Sequence, residues 1–150
     1  RGGRQRCVCR LGEATSHVKP AAGADYQVST IPKHRWKTTA VRMSLELDPT
    51  PDILAELGRK KGDRILIGFA AETERLVEEA RRKMQSKNCD MVVGNLVGNS
   101  GTGFESDENE VVLVLRGGET VTLARAPTRQ IADGIFDQLS KLRLALHATR

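Results

Sequence analysis

Different hydrophobic patterns divide this 150-residue chain into predicted elements. Positions 41–47 alternate between apolar and polar residues, which predicts a half-buried strand. Apolar runs at 64–69 and 91–95 predict two buried strands, and the segment 73–87 between them predicts a helix. A strand, a helix and a second strand in this order form a βαβ unit, with parallel strands and a right-handed crossover. The pattern therefore predicts an α/β fold.

The C-terminal third of the chain predicts a hairpin followed by a helix. Residues 111–115 and 120–124 flank Arg116-Gly117-Gly118-Glu119, a turn sequence typical of a β-hairpin. Pro127 and Thr128 then open a helix with a core-facing stripe at spacings of four and three. The stripe comprises Ile131, Ile135, Leu139, Leu142 and Leu146. A hairpin added to a parallel unit predicts a three-layer α/β domain with a mixed sheet.

A short helix is predicted to begin just after residue 50. Thr50 can cap it, Pro51 can occupy its first turn, and Asp52 lies favourably near its positive end. Residues 1–20, by contrast, show neither helical nor strand periodicity. We therefore expect an irregular basic segment over 1–20 and one α/β domain over 21–150.

The positive charge of the chain is concentrated near its N-terminal end. The net charge is +5, and the first 42 residues carry nine Lys or Arg against Glu13 and Asp25. A basic arm can bind nucleic acid through phosphate contacts. One Trp, one Tyr and three Phe supply few rings for a base-stacking platform. Binding of a triphosphate and a phosphorylated substrate therefore explains part of the positive charge more economically than binding of nucleic acid.

Composition also limits the location and the metal chemistry of the chain. No stretch approaches the ~20 apolar residues of a membrane span, and no signal peptide opens the sequence. We therefore expect a cytoplasmic protein without a membrane partner. Cys7, Cys9 and Cys89 suit a reducing compartment. Cys7-Val8-Cys9 lacks the second ligand pair of a tetrahedral zinc site, so no metal-ligating residue is predicted.

The candidate chemistry lies where the strand at 64–69 turns into the helix at 73–87. Its small-residue turn, Ala70-Ala71, precedes a helix start, an arrangement that binds phosphate-bearing ligands in open α/β sheets. Lys83 and Lys87 are four residues apart and share one helix face. The alternative is an ordinary strand–helix turn with two lysines on a solvated face.

Six blocks, in order over about residues 21 to 142, resemble one known family. The blocks are Ala21-Ala22-Gly23-Ala24-Asp25-Tyr26, Pro32-Lys33-His34-Arg35-Trp36-Lys37, Thr50-Pro51-Asp52-Ile53-Leu54, Gly68-Phe69-Ala70-Ala71-Glu72-Thr73, Cys89-Asp90-Met91-Val92-Val93-Gly94-Asn95 and Gly103-Phe104-Glu105-Ser106-Asp107-Glu108-Asn109-Glu110. They resemble phosphopantothenoylcysteine synthetase (phosphopantothenate–cysteine ligase), the ligase half of the bifunctional flavoprotein of coenzyme A biosynthesis. The resemblance implies a Rossmann-like domain, partial relative to the full ligase domain.

The resemblance also implies an activity and its partners. A carboxylate of 4′-phosphopantothenate attacks the α-phosphate of CTP, pyrophosphate leaves, and the amine of cysteine then displaces CMP from the acyl-cytidylate. Mg²⁺ is implied with the CTP, and a homodimer is implied in which the stretch between Asp25 and Leu47 reaches the partner. FMN and a flavoprotein decarboxylase domain are implied only where the full protein carries that domain.

Individual site residues are implied by the matching blocks. Arg35 stands where most bacterial members have a lysine that helps to hold the acyl-cytidylate or CTP, and it is the implied catalytic residue. Lys83 and Lys87 match the CTP-contacting lysines. The other implied nucleotide-binding residues are Ala21, Ala22, Asp25, Pro51, Asp52, Ile53, Leu54 and Phe69. Alternatives remain for six of them: a turn residue for Asp25, a helix start for the four residues at 51–54, and core packing for Phe69.

The chain departs from the family at its start. The family has an apolar strand before Ala21, whereas this chain has Ser16-His17-Val18-Lys19-Pro20. No segment of residues 1–20 resembles the N-terminal half of the ligase domain, which carries the first glycine-rich strand–helix unit. The second interpretation is therefore a non-catalytic nucleotide-binding or interaction module that retains the ligase fold.

Overall fold

The computed structural model describes residues 8, 14–19, 26–29, 46–72, 75–96 and 108–148. The strands are β1 Ser16–Lys19, β2 Tyr26–Val28, β3 Leu47–Pro49, β4 Ile65–Glu72, β5 Met91–Leu96, β6 Glu108–Leu115 and β7 Thr120–Pro127. The helices within these ranges are α1 Ile53–Lys60, α2 Leu76–Lys87 and α3 Thr128–Ala148.

Five of the strands form one mixed sheet in the order β1-β4-β5-β6-β7. Strands β1, β4 and β5 are parallel, and β6 and β7 pair antiparallel beside β5. Strands β2 and β3 form a separate antiparallel ribbon. The parallel unit and the hairpin confirm the predicted mixed sheet.

Helices cover both faces of this sheet. Residues Leu66 and Val92 pack with Leu57 in a cluster under α1 and α2. Residues Ile67 and Met91 point to the other face and pack in a cluster with α3. Central strands buried on both faces carry continuous apolar runs, which explains why β4 and β5 were recognisable in the sequence. The three-layer α/β prediction is confirmed.

The two helices on the first face begin later than predicted. Asp52 is the N-cap of α1, because its Oδ1 accepts a hydrogen bond from Ala55 N at 2.9 Å. The prediction of a Thr50 cap with Pro51 in the first turn is therefore wrong by two residues. Helix α2 starts at Leu76 rather than at 73, since β4 continues to Glu72.

A close contact between α1 and the end of α2 depends on a glycine. A Cβ atom at Gly58 would lie 1.9 Å from the carbonyl oxygen of Lys87. The side chain of Asn88 donates a hydrogen bond to the Gly58 carbonyl at 2.8 Å. Because no other residue fits at position 58 without a shift, the distance between α1 and α2 is closely defined.

The structure differs from three further predictions, which concern two strands and the last helix. Residues 16–19 form β1, so the expectation of no strand within 1–20 is wrong there. In the predicted strand over 41–47, residues 41–45 lie outside the described residues, Glu46 is not in a strand, and β3 begins only at Leu47. In α3, Ile131 and Ile135 are buried, but Leu146 is exposed rather than core-facing.

A buried ion pair joins three segments at the amino end of the parallel strands. Lys61 Nζ lies 2.6 Å from Asp90 Oδ2, and the Leu66 amide donates to the same oxygen at 2.8 Å. Arg116 Nε donates to Asp90 Oδ1 at 3.0 Å. This cluster connects β4, β5 and the β6–β7 hairpin at the edge of the sheet where the parallel strands begin.

None of the helices in the described ranges has the length and apolar content needed to cross a membrane.

Candidate functional site

The candidate site lies where α1 begins, beside β4 and α2. Phe69 is the fifth residue of β4, and the N-cap Asp52 precedes the first turn of α1. Both α1 and α2 pack on the same face of β4. Open α/β sheets bind ligands beyond the carboxyl ends of their parallel strands, and this position agrees with that rule.

Lys83 joins α2 to the backbone of β4. Its Nζ donates a hydrogen bond to the carbonyl oxygen of Phe69 at 2.6 Å, and its side chain is half-buried. A lysine on a strongly solvated face would not make this contact. The structure therefore favours an oriented ammonium group at Lys83 over the solvated alternative.

Lys87 reaches the start of α1. Its Nζ lies 2.5 Å from Asp52 Oδ2, with the two side chains 28% and 45% exposed. Burial raises the pKa of Asp52, but hydrogen bonds from Lys87 and the Ala55 amide, together with the charges of Lys87 and Lys19, lower it overall below 3.8. Asp52 is therefore ionised at neutral pH and holds Lys87 beside the first turn of α1.

The apolar residues predicted for the site contribute to packing. Leu54 is buried, and a Cβ at Gly68 of β4 would lie 3.1 Å from its Cδ2. Ile53 packs against the same cluster, whereas Pro51 is exposed. The Phe69 side chain packs against the α3 face of the sheet. The structure thus joins Lys87 to Asp52 and Lys83 to the backbone of Phe69, and it directs the side chains of Leu54 and Phe69 into opposite cores.

Sequence reasoning missed Lys19. It ends β1 and pairs in register with Gly68. Its positive charge helps to lower the pKa of Asp52. A four-residue strand with one clearly apolar residue, Val18, is too short for a period-of-two signal. Only the pairing with β4 reveals where Lys19 lies.

Four predicted site residues lie outside the described residues: Ala21, Ala22, Asp25 and Arg35. Their roles stay predictions. Within the ranges that the structure describes, no group of three or more His, Cys, Asp or Glu side chains could hold a metal ion. The carboxylate of Asp52 already uses one oxygen for Ala55 and the other for Lys87, so these residues do not fit a resident magnesium ion.

The fold defines a Rossmann-like α/β domain in which Lys87 and Asp52 pair at the start of α1 and Lys83 contacts β4. The chain belongs to the DNA/pantothenate metabolism flavoprotein C-terminal domain family, whose model matches residues 4–142. The match confirms the resemblance found in the six sequence blocks and extends it toward the N-terminus beyond residue 21.

Curated relatives agree with this assignment. The chain is 38% identical over 125 residues to the coenzyme A biosynthesis bifunctional protein CoaBC of Bacillus subtilis, covering 83% of this chain and 31% of that protein. It is 31% identical over 127 residues to the CoaBC protein of Haemophilus influenzae, covering 84% and 32%. The chain therefore spans about a third of the length of these relatives.

Solved structures share the fold. The C-terminal domain of a coenzyme A biosynthesis bifunctional protein CoaBC aligns with a TM-score of 0.76 and 27% identity, over 95% of this chain and 61% of that one. A Cab2 H337A variant in complex with phosphopantothenate-cysteine aligns with a TM-score of 0.60 and 21% identity, over 83% and 42%. The second likeness concerns the fold alone.

Proposed function

We propose that this chain forms the nucleotide-binding part of a CTP-dependent phosphopantothenate–cysteine ligase of coenzyme A biosynthesis. One observation carries the proposal: on one face of α2, Lys87 pairs with Asp52 at the start of α1 and Lys83 contacts the Phe69 carbonyl of β4, and these are the lysines that match the family's CTP contacts. Membership of the CoaBC C-terminal domain family supports the choice of ligand and of reaction.

The proposed first step needs positive charge where the phosphates lie. The 4′-phosphopantothenate carboxylate attacks the α-phosphorus of CTP, a carboxylate–phosphorus bond forms, and the bond to the departing pyrophosphate breaks. Negative charge spreads over the phosphoryl oxygens during this step, and fixed cations stabilise it. Lys83 and Lys87 can supply such cations if Lys87 exchanges its Asp52 partner for a phosphate oxygen.

The proposed second step forms the amide. The cysteine amine attacks the acyl carbon of the acyl-cytidylate, the bond to CMP breaks, and the amine loses a proton. An unactivated carboxylate would resist this attack because it is already negative. Arg35 is proposed to help hold the acyl-cytidylate, with Asp25, Ala21 and Ala22 beside the nucleotide, on the strength of the matching blocks.

Magnesium is proposed to arrive with the nucleotide. Mg²⁺ keeps several waters and commonly binds through substrate phosphates. A magnesium–CTP complex as the substrate fits a site in which both oxygens of the Asp52 carboxylate are already engaged. A homodimer is proposed through the ribbon of β2 and β3. A flavoprotein decarboxylase domain, with its FMN, is proposed as a neighbour only where the full protein carries one.

Two measurements on the same chain test the proposal. CTP should raise the melting temperature more than ATP or GTP at equal concentration, because a ligand that binds the native state stabilises it by mass action. Pyrophosphate should appear only when CTP and 4′-phosphopantothenate are both present. Equal shifts with all three nucleotides would reduce the site to a general anion site and contradict the proposal.

The second candidate is a non-catalytic nucleotide-binding or interaction module with the ligase fold. The observation that favours it is that Lys83 and Lys87 both already have protein partners, which would satisfy a purely structural role. A CTP-selective thermal shift without any pyrophosphate release would support this module over the ligase.

A further inference from the structure

Lys19 lies on the same face of the sheet as the start of α1. It pairs in register with Gly68 of β4, and residues in register on neighbouring strands project to one face. Leu54 of α1 packs over that face, within 3.1 Å of a Cβ built at Gly68. The Lys19 side chain, which is half-buried, therefore starts beneath the first turn of α1.

Three lysines, one on β1 and two on α2, lie near the start of α1 or on the adjacent strand β4. Strand β1 neighbours β4 on one side, while α2 packs over β4 and β5 on the other. Lys19 ends β1, and its positive charge lowers the pKa of Asp52, whereas Lys87 of α2 pairs with the Asp52 carboxylate directly. Lys83 contacts Phe69, the residue that follows Gly68. Lysines on β1 and α2 therefore lie close to Asp52, and a third contacts the adjacent strand β4.

We propose that Lys19 is a third phosphate-binding residue of this site, contributing most when the nucleotide carries a triphosphate. The proposal rests on the proposed function, because it assumes that a nucleotide binds beside Asp52. It adds to that function a residue without a counterpart in the sequence resemblance, which predicts an apolar strand before Ala21.

The dependence on phosphate number follows from the geometry. A single phosphate held by Lys83 and Lys87 need not approach β1. A longer phosphate chain carries more negative charge and can extend across the start of α1, where Lys19 adds a charge-assisted contact. Lys19 should therefore distinguish a nucleoside triphosphate from the corresponding monophosphate.

Calorimetric titration of the full chain with CMP, CDP and CTP, at one fixed salt concentration, tests this role. Lys19→Met should weaken CTP binding about tenfold, as expected for one lost charge-assisted contact, with a smaller loss for CDP and almost none for CMP. Lys19→Arg should bind CTP nearly as well as the unaltered chain, since it keeps the positive charge. Lys60→Met is the matched control, because Lys60 ends α1 and pairs with Glu56 one turn earlier on that helix.

The outcomes separate the two proposals. If Lys83→Ala weakens CTP binding but Lys19→Met binds CTP normally, the role of Lys19 is overturned and the proposed function stands. If the unaltered chain does not bind CTP, both are overturned. Should Lys19→Met fail to fold, Lys19→Gln takes its place under the same criterion. Loss of folding in both variants would assign Lys19 a structural role and overturn the phosphate contact.

Discussion

Lys87 in the last turn of α2 forms an ion pair with Asp52, the residue that caps α1, with 2.5 Å between Nζ and Oδ2. The other carboxylate oxygen accepts the Ala55 amide. One side chain therefore fixes the start of α1 and orients a lysine from a different helix. Partly exposed ion pairs contribute little to stability, so the main consequence of this pair is the position of Lys87.

The two roles of Asp52 can be separated by substitution. Asp52→Asn keeps a good N-cap and removes the charge, whereas Asp52→Ala removes both. We expect Asp52→Ala to lower the free energy of unfolding by about 1 kcal/mol, and Asp52→Asn to lower it by only a few tenths of that amount. Urea unfolding measures both values. Equal losses in the two variants would show that the ion pair, rather than the cap, stabilises this end of α1.

The pH dependence provides a control for Asp52. Its pKa in the folded chain lies below 3.8, so its charged form stabilises the fold above that value. This contribution is lost as the pH falls through the folded-state pKa. The difference in stability between the unaltered chain and Asp52→Asn should therefore shrink as the pH is lowered below about 4.

Asp90 should be far more important for stability than Asp52. Its carboxylate accepts hydrogen bonds from Lys61, Arg116 and the Leu66 amide, and both Asp90 and Lys61 are buried. Asp90→Ala leaves the Lys61 ammonium buried without its partner, which should cost about 3–5 kcal/mol in urea unfolding.

The control for Asp90 lies on the outer surface of α3. Asp133 pairs with Arg129 at 3.5 Å, and both side chains are well exposed. Asp133→Ala should change stability by less than about 0.5 kcal/mol. Similar losses in Asp90→Ala and Asp133→Ala would contradict the buried cluster as an anchor of β4, β5 and the hairpin.

Cys89 should be inert in the folded chain. It is fully buried, and burial, aided by the negative charge of Asp90, raises its pKa to about 11 against the opposing charges of Lys61, Lys83 and Arg116. In a Cys7→Ser, Cys9→Ser background, a thiol reagent at pH 8 should label Cys89 only as fast as the chain unfolds. Rapid labelling of the folded chain would contradict this burial.

The raised pKa of Cys89 also predicts how the stability of the fold changes at alkaline pH. Because its folded-state pKa is raised, the neutral thiol stabilises the fold fully below the ordinary value of 9.0, and this contribution is lost as the pH rises through about 11. Within the Cys7→Ser, Cys9→Ser background, Cys89→Ala should therefore lose less stability between those two pH values. A parallel decline in both chains would contradict the raised pKa.

The ribbon of β2 and β3 should mediate self-association. Tyr26, Val28 and Leu47 are exposed on it by 62%, 39% and 54%, and an exposed strand edge with apolar side chains favours pairing with another chain. We expect a dimer in light scattering at high micromolar concentration, and Leu47→Asp should shift it toward monomer. Leu144→Asp, on α3 and 71% exposed, is the control. A monomeric unaltered chain would contradict the proposed dimer.

The sequence predicted the elements whose apolar pattern is long. Strands β4 and β5 are buried on both faces and carry continuous apolar runs, and the hairpin is marked by Gly118, which has a φ of 90°. Strand β1 was not predicted because its four residues form a strand by pairing with β4. No local sequence pattern encodes this long-range contact. The prediction of Thr50 as the N-cap was wrong because Asp52, an equally good cap residue, takes that position. The ion pair with Lys87 holds the Asp52 side chain there.

The site was predictable only in part. Lys83 and Lys87 share a helix face, so their spacing was visible in the sequence, but the partners that orient them, Phe69 and Asp52, come from other elements. Lys19 was not predicted as a site residue, because its position also depends on the pairing of β1 with β4. The sequence therefore predicted the lysine pair, but not the contacts with distant segments that position it.

Lys83 and Lys87 are proposed to bind the phosphates of CTP, and calorimetric titration of CTP into single alanine variants measures the contribution of each lysine. Each lost charge-assisted contact should cost about 1.5–3 kcal/mol, roughly a tenfold or greater loss of affinity. Stability should fall by about 1 kcal/mol or less in either variant. Arg81→Ala, on an exposed part of α2, is the control and should bind CTP like the unaltered chain. We expect weakened CTP binding in Lys83→Ala and Lys87→Ala but not in Arg81→Ala, and equal affinity in all three variants would show that the two lysines do not bind the phosphates.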